Sequence, residues 1–159
     1  MNKIITLLSI IVLFRLTVFA VNIDSKAGTT GISFLKIGIG ARAVAMGEAF
    51  VGINGDVNCL YWNPAGVVDL QNEELTFTYN MWLEGIKYSF LGFVYPLSFC
   101  SVGISMSYLD TGEIQGYDEN NVSTGKFTAS DLAVGVSYAQ KFNNRFLGGG
   151  TFKLIQEKL

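Results

Sequence analysis

Residues 100–109 read CSVGISMSYL. Val102, Ile104, Met106 and Tyr108 alternate with Ser101, Gly103, Ser105 and Ser107. A period of two places one set on each face of a β-strand. Bulky apolar residues on one face and small or hydroxyl residues on the other fit a strand with lipid on one side and a lumen on the other. A soluble antiparallel sandwich with core aromatics is the alternative. Residues 75–83 repeat the pattern, with Leu75, Phe77, Tyr79 and Met81 set against Thr76, Thr78 and Asn80. So do residues 127–142, where Leu132, Val134, Val136 and Tyr138 oppose Asp131, Ala133, Gly135 and Ser137. Residues 86–97 are nearly continuous in apolar and aromatic side chains, and their faces are ambiguous. Residues 146–159 form a weaker, Gly-rich fifth candidate.

The connections agree with a barrel. Tight turns are expected around Pro96-Leu97-Ser98 and Asn143-Asn144-Arg145, and a long polar loop over residues 110–126. Short turns on one side and long loops on the other are the outer-membrane pattern. Trp82 and Tyr88 are expected at one aromatic rim, and Tyr95, Phe99, Phe142 and Phe146 at the other. The acidic residues of the long loop lack the D-x-[DN]-x-[DN]-G spacing of a calcium loop. Asn121-Val122-Ser123 matches a glycosylation triplet by pattern only.

Composition points the same way. Charged residues are 15% of the chain, against roughly 25% in a soluble domain. Mean hydropathy is +0.37, yet after the leader no run approaches the roughly 18 apolar residues of a membrane-spanning helix. The net charge of -2 offers nothing to nucleic acid. His is absent, which removes the commonest general base and neutral metal ligand. The chain is expected to be no enzyme, with no catalytic, cofactor-binding or metal residues. Cys59 and Cys100 are expected as unpaired, buried thiols, with a single disulfide as the alternative.

Two segments precede the strands. Lys3, the apolar run at residues 4–14 and Val18-Phe19-Ala20 make a secretory signal peptide over residues 1–20. Residues 21–72 are a Gly/Ala-rich lead-in of low charge. Within it, residues 32–39 suit an extended run and residues 41–50 (ARAVAMGEAF) suit a short helix. Ala41, Ala45 and Ala49 would line one methyl face of that helix. Asn54-Gly55-Asp56 and Asn63-Pro64 mark turns. Gly38-Ile39-Gly40-Ala41-Arg42-Ala43 matches a dinucleotide fingerprint, but no parallel βαβ unit follows it. Its glycines are better explained by close backbone packing.

The runs Phe34-Leu35-Lys36-Ile37-Gly38-Ile39-Gly40-Ala41-Arg42-Ala43, residues 45–51 and Leu60-Tyr61-Trp62-Asn63-Pro64-Ala65-Gly66 resemble the opening of the PorV/PorQ family. Residues 108–114 and 127–133 resemble later segments of that family. The likeness covers nearly all of the mature chain. It implies an outer-membrane barrel related to FadL-type proteins, with 14 strands by family pattern, and an N-terminal hatch that carries the Asn-Pro-Ala motif. PorV-type members serve type IX secretion and receive exported cargo at the outer membrane. FadL-type members pass hydrophobic small molecules.

The expected fold is therefore all-β. Residues 73–159 form about five antiparallel strands of a transmembrane β-barrel, behind a Gly/Ala-rich helical hatch at residues 21–72. Five strands cannot close a barrel, so the chain is expected to be the N-terminal portion of a longer protein, or an inactive fragment. The expected location is the bacterial outer membrane, reached by export. The expected partners are outer-membrane lipid and exported cargo or secretion components, or hydrophobic small molecules in the FadL-like alternative. Arg42, Glu48, Asn63, Pro64, Ala65 and Gly66 are the candidate hatch residues that gate or shape the lumen. Merely seating the plug is the competing role.

Overall fold

The computed structural model describes residues 32–119, 122–143 and 145–158. The expected signal peptide, the hatch up to residue 31 and Asn121 lie outside the described residues. Five antiparallel strands form one sheet in sequence order: β1 (Glu74–Met81), β2 (Lys87–Pro96), β3 (Cys100–Tyr117), β4 (Ser123–Lys141) and β5 (Leu147–Lys158). Among the described residues no helix is long and apolar enough to cross a membrane.

Residues directly opposite in neighbouring strands share a face, so the register extends the alternation across the whole sheet. Leu75, Phe93, Ile104, Val136 and Phe152 stand in one outward row. Phe77, Leu91, Met106, Val134 and Leu154 form the next. Tyr95 and Tyr138 flank these rows at one end, and Tyr79 and Tyr108 at the other. Beyond Tyr108 come Lys87, Asp110 and Lys158. From Tyr138 to Leu132 is about 20 Å along the strand, close to the apolar band of about 25 Å on outer-membrane barrels. A soluble sandwich would bury this face. Here Phe77 is 67% exposed and Phe152 71%.

The other face carries Thr76, Gly92, Ser105, Gly135 and Lys153 in one row. Ser101, Ser105, Ser107 and Ser137 are buried there because the hatch lies over them. The register also resolves β2: Tyr88, Phe90, Gly92 and Val94 face the hatch. Tyr88 is therefore no rim residue. It is fully buried on the inner face, and Tyr79 and Tyr108 take the rim instead. The other expected rim residues, Trp82, Tyr95, Phe99, Phe142 and Phe146, are all exposed.

The polar stretch over residues 110–126 is not a loop. β3 continues to Tyr117 and β4 starts at Ser123, and the Asp118 N–H donates to the Val122 carbonyl at 2.9 Å across the turn. Ladder hydrogen bonds do not require apolar side chains, so loss of the apolar alternation marks strands leaving lipid rather than strands ending. A bulge between Asp110 and Glu113 shifts the register. The Thr111 hydroxyl secures it by accepting from the Ala129 N–H at 2.9 Å.

The hatch contains a 3-10 turn (Ser33–Lys36), helix α1 (Ala41–Ala45), helix α2 (Cys59–Trp62) and a second 3-10 turn (Pro64–Asp69). Two expectations fail in it. Residues 32–39 are not an extended run: Ser33–Lys36 coils into the 3-10 turn instead. The helix expected to reach residue 50 stops at Ala45, where Gly47 and Glu48 both take positive φ (63° and 66°). Ala41, Ala45 and Ala49 are consequently exposed, and Ala43 is the buried alanine.

Candidate functional site

The hatch sits on a seat of small residues on the inner face. The Leu60 side chain enters the gap left by Gly92 and Gly103. A Cβ on Gly92 would lie 3.1 Å from Leu60 Cδ1, and one on Gly103 would collide with Leu60 Cδ2. Further along the seat, a Cβ on Gly149 would lie 2.6 Å from Ala65 N and 2.8 Å from the Pro64 carbonyl carbon. The Pro64-Ala65 backbone thus lies directly on β5. Phe34, Phe50, Val67 and Leu70 join Phe90, Val94 and Ala139 in a common core. Burying such side chains is worth about 1.5–3 kcal/mol each.

Polar ties surround this core. The Thr76 hydroxyl donates to Asn58 Oδ1 at 3.3 Å. Lys141 Nζ lies 3.4 Å from Asp69 Oδ1. The Ile32 N–H donates to Glu157 Oε1 at 2.5 Å, and Lys153 Nζ stands 5.4 Å from the Tyr61 ring centroid. Strands β1, β4 and β5 are each tied to the hatch in this way.

Three consecutive residues clasp the first half of the hatch. The Tyr61 hydroxyl lies between the carbonyls of Leu35 and Ile37, the latter at 2.7 Å, and its one proton serves either of them. Burial pushes the Tyr61 hydroxyl pKa above its ordinary value, so the group stays a donor. Trp62 Nε1–H donates to the Ile39 carbonyl at 3.2 Å, and Asn63 Nδ2 donates to the Val51 carbonyl at 2.9 Å. Asn63 also opens the second 3-10 turn: its Oδ1 accepts from the Ala65 N–H at 3.3 Å, and Pro64 occupies the first turn, where its missing N–H costs nothing. Gly66 is buried against the Ile53 carbonyl and Cys59 Sγ, where a Cβ would lie within 2.8 Å of each. The four residues of Asn63-Pro64-Ala65-Gly66 therefore act as clasp, turn, seat contact and packing gap, in that order.

Arg42 and Glu48 do not pair with each other. Arg42 Nη1 meets Asp56 Oδ2 at 3.1 Å, and its guanidinium lies 5.7 Å from the Phe50 ring centroid. Asp56 Oδ1 meanwhile accepts from Asn58 N and Nδ2 at 2.8 and 2.9 Å. The Glu48 carboxylate lies against Gly38, leaving no space for a Cβ there, and borders an open depression of about 670 Å³. The fingerprint glycines have conformational work: Gly40 takes φ 81°, and a Cβ on it would lie 3.1 Å from Asn58 Cγ. Helix α1, with five residues, is too short to form a phosphate site.

Cys59 and Cys100 are free and buried, as expected. Burial pushes the Cys59 thiol up to about 11, and its Sγ–H donates to the Ile53 carbonyl at 3.3 Å. Among the described residues no group of three or more His, Cys, Asp or Glu side chains is placed to hold a metal. What the arrangement can do is fill the space over the inner face of the sheet and hold polar groups there.

Asp56, Tyr61, Trp62, Lys153 and Gly149 are not among the candidate site residues expected from the sequence, although Asp56 falls in an expected turn and Tyr61-Trp62 in a family-like motif. Period-two parity with Phe152 and Leu154 would have put Lys153 on the inner face. Nothing local marked Gly149 as the seat of a segment more than eighty residues away.

The sequence model of the family described as type IX secretion system protein PorV matches residues 20–158. No curated protein and no solved structure matches the chain.

Proposed function

The chain belongs to the PorV family of type IX secretion system proteins, and on that premise we propose that it is a non-enzymatic outer-membrane protein receiving exported cargo or other secretion components. The observation that carries this reading is the sheet itself: an apolar outward face with tyrosines at both margins, backed by an inner face of small, hydroxyl and apolar residues that holds a folded hatch. Such a wall suits lipid outside and a plugged lumen inside. Arg42, Glu48 and Asn63-Pro64-Ala65-Gly66 shape and gate that lumen through the contacts they make within the hatch. A FadL-like passage for hydrophobic small molecules is the second reading. The inner-face hydroxyls of Ser101, Ser105, Ser107 and Ser137 weigh against it.

Deletion and complementation in a type IX-secreting bacterium tests the proposal. Loss of the gene should retain cargo in the cell envelope, and the restored protein should release it and co-purify with it. Unchanged secretion together with lost uptake of a long-chain fatty acid would overturn the secretion reading in favour of the channel.

A further inference from the structure

The clasp residues divide the hatch into two parts that are held very differently. Residues 59–70 are fixed on the wall: Leu60 lies in the Gly92/Gly103 gap, Pro64-Ala65 lies on Gly149, and Asp69 is tied to Lys141. Residues 41–49 are fixed at their ends, by Trp62 on the Ile39 carbonyl on one side and by buried Phe50 and Asn63 on the Val51 carbonyl on the other. Between those pins, residues 41–49 bury one side chain, the methyl of Ala43. Val44 and Met46 are exposed. Gly47 and Glu48, both at positive φ, close the loop and prevent the helix from continuing across it.

We propose that residues 41–49 are a flap that swings on the Trp62 and Asn63 pins and is latched by Arg42 on Asp56, while residues 59–70 stay seated. The inference rests on the hatch-gate reading above and identifies its moving part. The flap supplies Ala41, Val44, Ala45 and Glu48 to the lining of the depression, which Asn80 and Trp82 also line. Its movement therefore widens that opening without unseating the hatch. The latch is modest: the Arg42 side chain is 62% exposed and that of Asp56 16%, so solvent screens the pair from the arginine side. A modest latch with one buried methyl permits reversible opening, whereas the anchored half would have to give up a core.

Amide hydrogen exchange on the folded protein in detergent micelles tests this directly, independently of any cargo. In the wild type, amides over residues 41–49 should exchange faster than those over 59–69. Arg42→Ala should raise exchange over 41–49 by about two- to fivefold and leave 59–69 unchanged. Arg42→Lys should restore the wild-type rate, and high salt on the wild type should mimic the alanine variant. Trp62→Phe, which keeps the ring but removes the Nε1–H pin, should extend the loosened region to residue 39. Equal protection of the two halves in the wild type, or loosening of both together in Arg42→Ala, overturns the flap. Failure of the secretion experiment with this exchange pattern intact would leave the flap standing and remove only its assigned cargo.

Discussion

β3 and the hatch segment at residues 38–52 are both built from small residues, yet small size serves opposite ends in the two. On β3, Gly103 and Ser105 are small so that something else can approach: Leu60 sits in the space left beside Gly103. In the hatch, Gly40 and Gly47 are at positive φ so that the chain can turn where a side chain would resist. The wall repeats every two residues, and its neighbours are set by a ladder. The hatch has no period, and its shape comes from single contacts made by Tyr61, Trp62 and Asn63. An outward-facing wall residue can thus be replaced by others of its class, while Tyr61, Trp62 and Asn63 each have partners of their own.

The contrast can be broken most forcefully at Leu60, where the two regions meet. Leu60→Ala should cost about 2–5 kcal/mol of hatch docking, read as lost exchange protection over residues 34–70 with the sheet retained. Loss of the strands as well would mean that the wall depends on the hatch. On the outer face, Met106→Arg should destabilise folding into lipid vesicles by about 2–4 kcal/mol, measured by denaturant titration. A negligible change would place this face outside lipid. Gly149→Val forces a side chain onto the Pro64-Ala65 backbone and should cost about 1–3 kcal/mol in the same assay, with proteolysis of the hatch as a second readout. Asn63→Ala removes both a turn cap and the Val51 clasp, for about 0.5–2 kcal/mol. Exchange should rise at residues 51–52 and 65–66. The smallest effect is chemical. The Cys59 pKa is raised to about 11, so its reactive thiolate stays scarce up to that pH. In the folded protein at pH 8, alkylation of Cys59 should be far slower than that of a free thiol, and unfolding should restore it. Rapid labelling of native Cys59 would show that the hatch core is open.

Where local chemistry decided the outcome, it was readable. The faces of β1, β3 and β4 follow from alternation alone, as does the inward position of Ser101, Ser105 and Ser107. Strand β2 was not readable, because a strand covered by lipid on one side and by the hatch on the other has no polar face to betray its parity. For the same reason Tyr88 looked like a rim tyrosine. The residues 110–126 misled in the other direction: polarity there reports departure from the apolar band, not the end of pairing. In the hatch, the helical propensity of residues 41–50 was overruled by the positive φ at Gly47 and Glu48.

By itself the amino-acid sequence determined an all-β chain with lipid-type alternation and a distinct small-residue lead-in. These are properties of composition and of periods shorter than ten residues. Only the tertiary structure decided that Arg42 meets Asp56, that Tyr61, Trp62 and Asn63 hold the backbone at Leu35–Val51, and that Gly149 receives Pro64-Ala65. Those pairings join residues far apart in the chain through shape and hydrogen-bond direction, which no repeat in the sequence encodes.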